Sequence, residues 1–174
     1  MSAFIPLFFY QSWANEEFLA CLERLDPVRQ GRERHQALRL MNHIHVVSEI
    51  FAAHLEARSH GYAADNTDAT PEPADLRAAL AARDRWYCDY ASRVSAEALA
   101  EPVAFTFTDG DRGSMTRAEM LTHVVLHGAY HRGEVGRLLA PLDLAARPWD
   151  TFAVFLHRTE PLRRDDGLRL LVPA

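Results

Sequence analysis

The chain has 174 residues, with a hydrophobic fraction of 48% and a charged fraction of 25%, which is typical of a soluble globular protein and long enough for one domain with a sizeable core. We therefore expect a single domain over residues 1–174. The net charge of −5 provides no basic field, so neither nucleic acid nor a membrane is expected as a partner. All 19 basic residues are arginine, which excludes Schiff-base chemistry on lysine and a lysine general base.

The N-terminal segment, MSAFIPLFFYQSWANEEF, is apolar but lacks the features of a signal peptide. It has no basic region before the apolar run and no small-residue cleavage site, and Asn15 interrupts it before 18 apolar residues accumulate. We expect a first core helix there, over about residues 7–25, in a cytoplasmic protein. Cys21 and Cys88 are far apart and match no CxxC pattern, so reduced thiols are expected.

Two further long helices are predicted in the first half of the chain. The second, over about residues 35–58, carries apolar residues at alternating steps of three and four, like the inward seam of a bundle helix. The third spans about residues 73–93, and its Asp84 and Arg85 are expected to be solvated. Residues 62–74 are polar and lack periodicity. A plain connection is the favoured interpretation of this segment, and a lid is the alternative.

A β-hairpin is predicted before the last long helix. Residues 103–108 alternate with the period of a strand, the dipeptide Asp109–Gly110 marks the turn, and residues 112–115 form the return strand. Thr116 and Glu119 then have the spacing of a capping box, and no proline interrupts the following helix for about six turns.

The segment TFAVFLH near the C-terminus predicts one or two further helical turns over the end of the bundle. The predicted fold is therefore all-α. It is a four-helix bundle with a small β-hairpin before the last long helix and a short C-terminal helix.

Three histidines recur every four residues on the last long helix: His123, His127 and His131. Neighbours in this series lie only about 40° apart on one helix face, so two of them can bind one metal ion. His43 is the best further ligand, because it interrupts the apolar seam at the middle of the second helix. His54 shares that seam but lies about 16 Å further along the axis, too far for the same ion. The alternative is that these histidines only pack in the core or lie at the surface.

Four segments carry a family resemblance along nearly the whole chain. They are FFYQSWANEEFL, MNHIHVVSEIFAAHL, FTDGDRGSMTRAEMLTHVVLHGAYHRGEV with its H-x3-H-x3-HRG pattern, and PWDTFAVFL. In this order and at these distances they resemble the DinB-like family of damage-inducible, metal-binding four-helix-bundle proteins. The resemblance implies the same bundle fold and a homodimer, and it implies no DNA polymerase activity.

The resemblance also implies a set of metal ligands. Carried over by position, they are His43, His127 and His131, which leaves His123 as a core residue or a neighbour that orients a ligand by hydrogen bonding. Glu134 stands where the family usually has glutamine. Its side chain is interpreted as a partner of a ligand, a fourth ligand or a catalytic general base, with a solvated or structural residue as the alternative.

Zinc or nickel is the favoured ion, with iron or manganese as alternatives, because imidazole suits all of them. The resemblance implies a metal-dependent enzyme linked to stress or damage, of the thiol-dependent transferase or isomerase type, with hydrolysis as a further possibility. The resemblance implies a low-molecular-weight thiol as the co-reactant. Such a reaction needs no nucleophilic side chain, and no Ser–His–Asp or Cys–His array is visible in the sequence. The alternative is a non-enzymatic stress protein whose ion is structural or sensory.

Overall fold

Four long helices form the bundle in the computed structural model, which describes residues 2–165. They are α1 (Phe4–Glu23), α2 (Gly31–Leu55), α3 (Pro73–Arg93) and α5 (Arg117–Leu139). The shorter elements are α4 (Ala96–Leu99), β1 (Pro102–Thr106), β2 (Arg112–Thr116), α6 (Phe152–Thr159) and α7 (Leu162–Asp165). The predicted fold class, including the hairpin and the short C-terminal helix, is confirmed. Residues 166–174, which the single-domain prediction includes, lie outside the described part of the chain.

The helices pack as two pairs, α1 against α3 and α2 against α5, and α3 also contacts α2. β1 and β2 form an antiparallel hairpin in which Phe105 faces Gly113 across the strands. No helix of the described residues is both long enough and apolar enough to span a membrane. Because α2 packs against α5, the histidine side chains of these two helices can meet in the bundle interior.

Two large apolar clusters lie in the bundle, and a small third one contains Tyr10, Ala14 and Phe155. One includes Phe51 of α2 and Val124 of α5 and extends to Phe105 of the hairpin. The other includes Met41 of α2 and Val135 of α5. His43, His127 and His131 fall between these positions along both helices, so the histidines lie at the boundary between the two clusters.

Local hydrogen bonds determine where α5 begins and where α2 ends. At the start of α5, the Thr116 side chain accepts from the Glu119 amide at 3.2 Å, and the Glu119 carboxylate accepts from the Thr116 amide at 2.7 Å. The predicted capping box is therefore present. At the end of α2, Ala57 has a positive φ of 54°, and the amides of Ala57 and Arg58 bond back to the last helical turn. This left-handed residue ends α2 at Leu55, three residues before the predicted end.

The prediction that Asp84 is solvated is wrong. Asp84 is only 2% exposed, and its carboxylate accepts hydrogen bonds from the side-chain amides of Asn15 at 2.9 Å and Gln11 at 3.4 Å. Those two donors come from α1, which packs against α3, so the burial of Asp84 depends on a neighbouring helix. Arg85 is exposed, as predicted.

Candidate metal centre

Three imidazole rings converge between α2 and α5. His43 comes from the middle of α2, and His127 and His131 come from successive turns of α5. Their candidate ligand atoms all lie within 4.8 Å of one another, and Nε2 of His43 is 3.0 Å from Nε2 of His127. The three histidines that the sequence analysis proposed as metal ligands therefore lie close together, and they could hold a metal ion.

The outer nitrogens of two of these rings are held by acceptors. Nδ1 of His43 lies 2.7 Å from the backbone carbonyl oxygen of Asp65, and Nδ1 of His131 lies 2.6 Å from the carboxylate of Glu134. A carbonyl and a carboxylate can only accept, so each Nδ1 carries the proton and donates it. In the neutral form of each ring, a proton on Nδ1 leaves the lone pair on Nε2 to bind an ion. Metal-binding histidines usually have their outer nitrogen fixed in this way.

The third ring, that of His127, is kept neutral by its surroundings. Burial, together with the smaller effects of the neighbouring His131, His43 and His123 rings, lowers the pKa of His127 to about 3. At neutral pH the ring therefore carries no charge, which is the state in which imidazole binds a metal ion.

His123 contributes to a different part of the site. Its ring stacks on Phe51 with centroids 4.5 Å apart, and its centroid is 5.3 Å from that of His127. Together with His43 and His127 it lines a pocket of about 350 Å³ whose other walls come from α2, the hairpin and Asp65. His123 is therefore a wall of the pocket next to the three converging rings.

The polar segment between α2 and α3 is fastened to α2. Asn66 donates from its side chain to the Arg39 carbonyl at 3.0 Å, and Asn42 donates to the Thr67 hydroxyl at 2.6 Å. These contacts hold the Asp65 carbonyl against His43. The segment was predicted as a plain connection or a lid, and its contact with the site was missed. In the sequence, such anchoring is indicated only by the side chains of Asp65–Asp68, because Asp, Asn and Thr often hydrogen-bond to nearby backbone groups.

A buried arginine next to His131 connects α5 to the rest of the bundle. Arg132 is 0% exposed, and its guanidinium donates to the Asp150 carboxylate at 2.9 Å and to the Asn15 side-chain carbonyl at 3.0 Å. Tyr10 also donates to Asp150, and burial together with this bond raises the pKa of Tyr10 to about 12. This network was not predicted, although Arg132 lies in the HRG motif and Asp150 in the PWD motif.

The network fixes the rotation of α5 about its own axis. A buried arginine must keep its carboxylate and amide partners, because an unpaired buried charge is costly. Arg132 points towards α1 and Asp150, and its neighbour His131 on the same turn projects towards His43, whose ring centroid is 4.6 Å away. The arginine therefore helps to hold the histidine in place.

The donor set is consistent with a divalent metal ion. It consists of imidazole nitrogens from two helices, and imidazole suits zinc, nickel, copper and iron better than calcium or magnesium. Three protein ligands also leave coordination positions for an exogenous molecule, as in catalytic zinc sites.

One of the comparisons with known proteins gave a match. The sequence model of the DinB family matches residues 1–161. Searches of curated proteins and of solved structures gave no match. The match covers more than nine tenths of the chain, including all three converging histidines, Arg132 and Asp150. The chain belongs to the DinB family.

Proposed function

We propose that the protein binds one divalent metal ion through His43, His127 and His131 and acts as a metal-dependent enzyme of the thiol-dependent transferase or isomerase type. The observation that carries this proposal is the convergence of the three rings within 4.8 Å at the edge of a pocket of about 350 Å³. A purely structural ion requires no adjoining space, whereas an enzyme requires room for its reactants.

An external thiol is favoured because neither cysteine of the chain can act as a thiolate nucleophile at this place. Burial raises the pKa of Cys88 to about 11 and also raises that of Cys21, so both stay protonated at neutral pH. Neither cysteine lines the pocket. When bound, a divalent ion supplies Lewis acidity, which lowers the pKa of a thiol or water that coordinates it.

The residues around the ion are proposed to position the ligands. Asp65 and Glu134 keep the His43 and His131 rings in the tautomer and orientation that direct Nε2 inward. For Glu134 we propose this positioning role in place of a general base or a fourth ligand, since its carboxylate is already engaged with Nδ1 of His131. Zinc or nickel as the ion, a homodimer and a link to stress or damage are proposed on the family resemblance.

The first test is elemental analysis of the untagged protein, purified without added metal and again after incubation with zinc or nickel. We expect about one ion per chain, the stoichiometry of a three-histidine site. His127→Ala is expected to lose the ion and keep its helicity by circular dichroism. His54→Ala is the matched control, because His54 lies on α2 but outside the group of three. Absence of metal in the wild-type protein after both incubations would overturn the ligand assignment.

The second test separates an enzyme from a non-enzymatic metal protein. The zinc-loaded and nickel-loaded protein is mixed with low-molecular-weight thiols and electrophiles, and conjugation is followed by mass spectrometry. An enzyme is expected to accelerate at least one pair, and His127→Ala is expected to abolish that acceleration. Unfolding on chelation without any acceleration would instead favour the structural or sensory ion.

A further inference from the structure

We propose that the pocket beside the three histidines binds an uncharged molecule with an aromatic or branched aliphatic body, and that this molecule is the electrophilic co-substrate. The role of this molecule as a co-substrate rests on the proposed function. The preference for an uncharged apolar ligand rests only on the walls of the pocket and can be tested without any enzymatic assay.

The pocket is elongated along α2. Its lining runs from His43 to His54, which are three turns apart on the helix, about 16 Å along the axis. Its volume of about 350 Å³ is at the lower end of the range of small-molecule sites. A ligand of modest size can therefore lie against α2 with one end beside His43 and His127 and the other beside His54.

The long walls of the pocket are apolar. Val47, Ile50 and Phe51 of α2 form one side, and Phe105 and Phe107 of the hairpin contribute to the other. The two hairpin rings pack against each other with centroids 4.8 Å apart. Such walls favour a ligand body that loses apolar surface to the protein, with aromatic rings offering stacking as well.

The hairpin is shaped to present these two rings. Gly113 faces Phe105 across the strands, and a Cβ atom at residue 113 would lie 2.9 Å from atoms of both phenyl rings. Only glycine leaves space for the pair at this position of β2. Phe107 keeps 49% of its surface exposed at the rim, so it has apolar area still available to a ligand.

The charges around the pocket disfavour an anion. Among the described residues that line it, Asp65 is the one carboxylate and there is no arginine. In the metal-free pocket, a carboxylate or phosphate ligand would lose hydration, gain no ion pair from the lining residues and approach the like charge of Asp65. His54 provides an uncharged polar end instead, since burial lowers the pKa of its ring. Its nitrogens can hydrogen-bond a hydroxyl or carbonyl group of the ligand.

The test compares two probes that share one aromatic body. 2-Naphthylmethanol is uncharged, and 2-naphthalenesulfonate is an anion that coordinates metals only weakly. Both are titrated into the full chain, with and without zinc, by ligand-observed NMR. We expect the alcohol to bind the metal-free protein at least about tenfold more tightly than the sulfonate, because only the anion must be desolvated there without a partner. With zinc present the preference is expected to be smaller, since the ion attracts the sulfonate. Equal binding to the metal-free protein, or tighter binding of the sulfonate to it, overturns the inference.

Variants at the rim locate the binding. Phe107→Ala is expected to weaken binding of the alcohol about fivefold, and Phe107→Arg is expected to shift the preference at least about tenfold towards the sulfonate. Phe9→Ala is the matched control, since Phe9 is 51% exposed on α1 and does not line the pocket. An equal loss of binding in Phe9→Ala, or no change in Phe107→Ala, contradicts the assignment of this pocket.

The two proposals can fail separately. If the alcohol binds as described but the protein takes up no metal, the proposed enzyme function fails and the pocket inference stands. If the protein holds an ion and accelerates conjugation but does not distinguish the two probes, the pocket inference fails and the proposed function stands.

Discussion

The carboxylate of Glu134 accepts a hydrogen bond from Nδ1 of His131 at 2.6 Å, one helical turn away on α5. The bond fixes the tautomer of His131 and directs its second nitrogen towards His43 and His127. A negatively charged acceptor also makes the imidazole a better donor to an ion. Residue 134 is where the family resemblance implies glutamine, whose side-chain carbonyl can accept the same bond without the charge.

Replacing Glu134 tests this relationship. Glu134→Ala removes the acceptor, and we expect metal affinity to fall by about 10- to 100-fold, the usual effect of losing a partner of a metal-bound histidine. Glu134→Gln keeps an acceptor, and a loss of less than about tenfold is expected. Affinity is measured by competition with a chromophoric chelator, and circular dichroism checks the fold. Equal affinity in the alanine variant and the wild type would show that Glu134 does not position His131.

The segment after α2 is expected to support the site through Asn66. Asn66→Ala removes the bond to the Arg39 carbonyl and the acceptor for the side chain of Asn42. The Asp65 carbonyl is then held less firmly against His43, so we expect faster amide hydrogen exchange in this segment and about tenfold weaker metal binding.

Asp68→Ala is the control for that variant, because Asp68 is an exposed residue of the same segment. It is expected to leave both hydrogen exchange and metal affinity near the wild-type values. If Asn66→Ala also leaves them unchanged, the anchoring of the segment has no influence on the site.

The features that the sequence predicted correctly are local ones. The helical spacing of His127 and His131, the interruption of an apolar seam by His43, and the capping box at Thr116 all depend on residues within a few turns of each other. Periodicity determines which face such residues share, so it also indicates which of them can meet across two packed helices.

The features that were missed depend on contacts between distant segments. Asp84 is charged and lies on a helix, which suggests solvation, but α1 supplies two amide donors that allow it to be buried. Asp150, which pairs with Arg132, lies 18 residues further along the chain, in the connection between α5 and α6. The left-handed Ala57 ends α2 at Leu55, and residue type alone does not indicate a left-handed conformation for an alanine.

Two glycines of α5 provide a matched test of the packing around Arg132. At Gly133 an added Cβ meets nothing within 4 Å, so Gly133→Ala is expected to stabilise the protein by about 0.5–1 kcal/mol through helix propensity alone. At Gly128 an added Cβ would lie 3.0 Å from Nη1 of Arg132 and 3.2 Å from Oε1 of Gln11. Arg132 is fully buried and cannot move away freely, so Gly128→Ala is expected to destabilise by about 1 kcal/mol.

Chemical unfolding of the two variants beside the wild type measures both effects. The opposite signs are the essential result, because the two substitutions are chemically identical and lie on the same helix. Equal stabilisation by both would mean that the space around Arg132 is less restricted than the contacts at Gly128 indicate.

The buried carboxyl of Asp84 makes the stability of the fold depend on pH. Burial raises the pKa of Asp84 from 3.8 to about 6, against the lowering effect of its bonds from Asn15 and Gln11. Between these two values the folded protein binds more protons at this group than the unfolded chain does. The contribution of Asp84 to stability is therefore fully present below about pH 4 and is lost as the pH rises through 6.

Asp84→Asn removes this titration. We therefore compare the free energy of unfolding of the wild type with that of the variant, and we expect the wild-type value minus the variant value to fall as the pH rises from 4 to 7. The expected fall is up to about 3 kcal/mol, since each unit of pKa shift corresponds to about 1.4 kcal/mol. Urea unfolding is followed at several pH values, with a chelator present so that metal binding does not vary. Asp89→Asn, on the exposed face of the same helix, controls for the loss of one negative charge. A difference that rises with pH would mean that Arg132 and the two amides stabilise the charged form of Asp84 more strongly than burial opposes it.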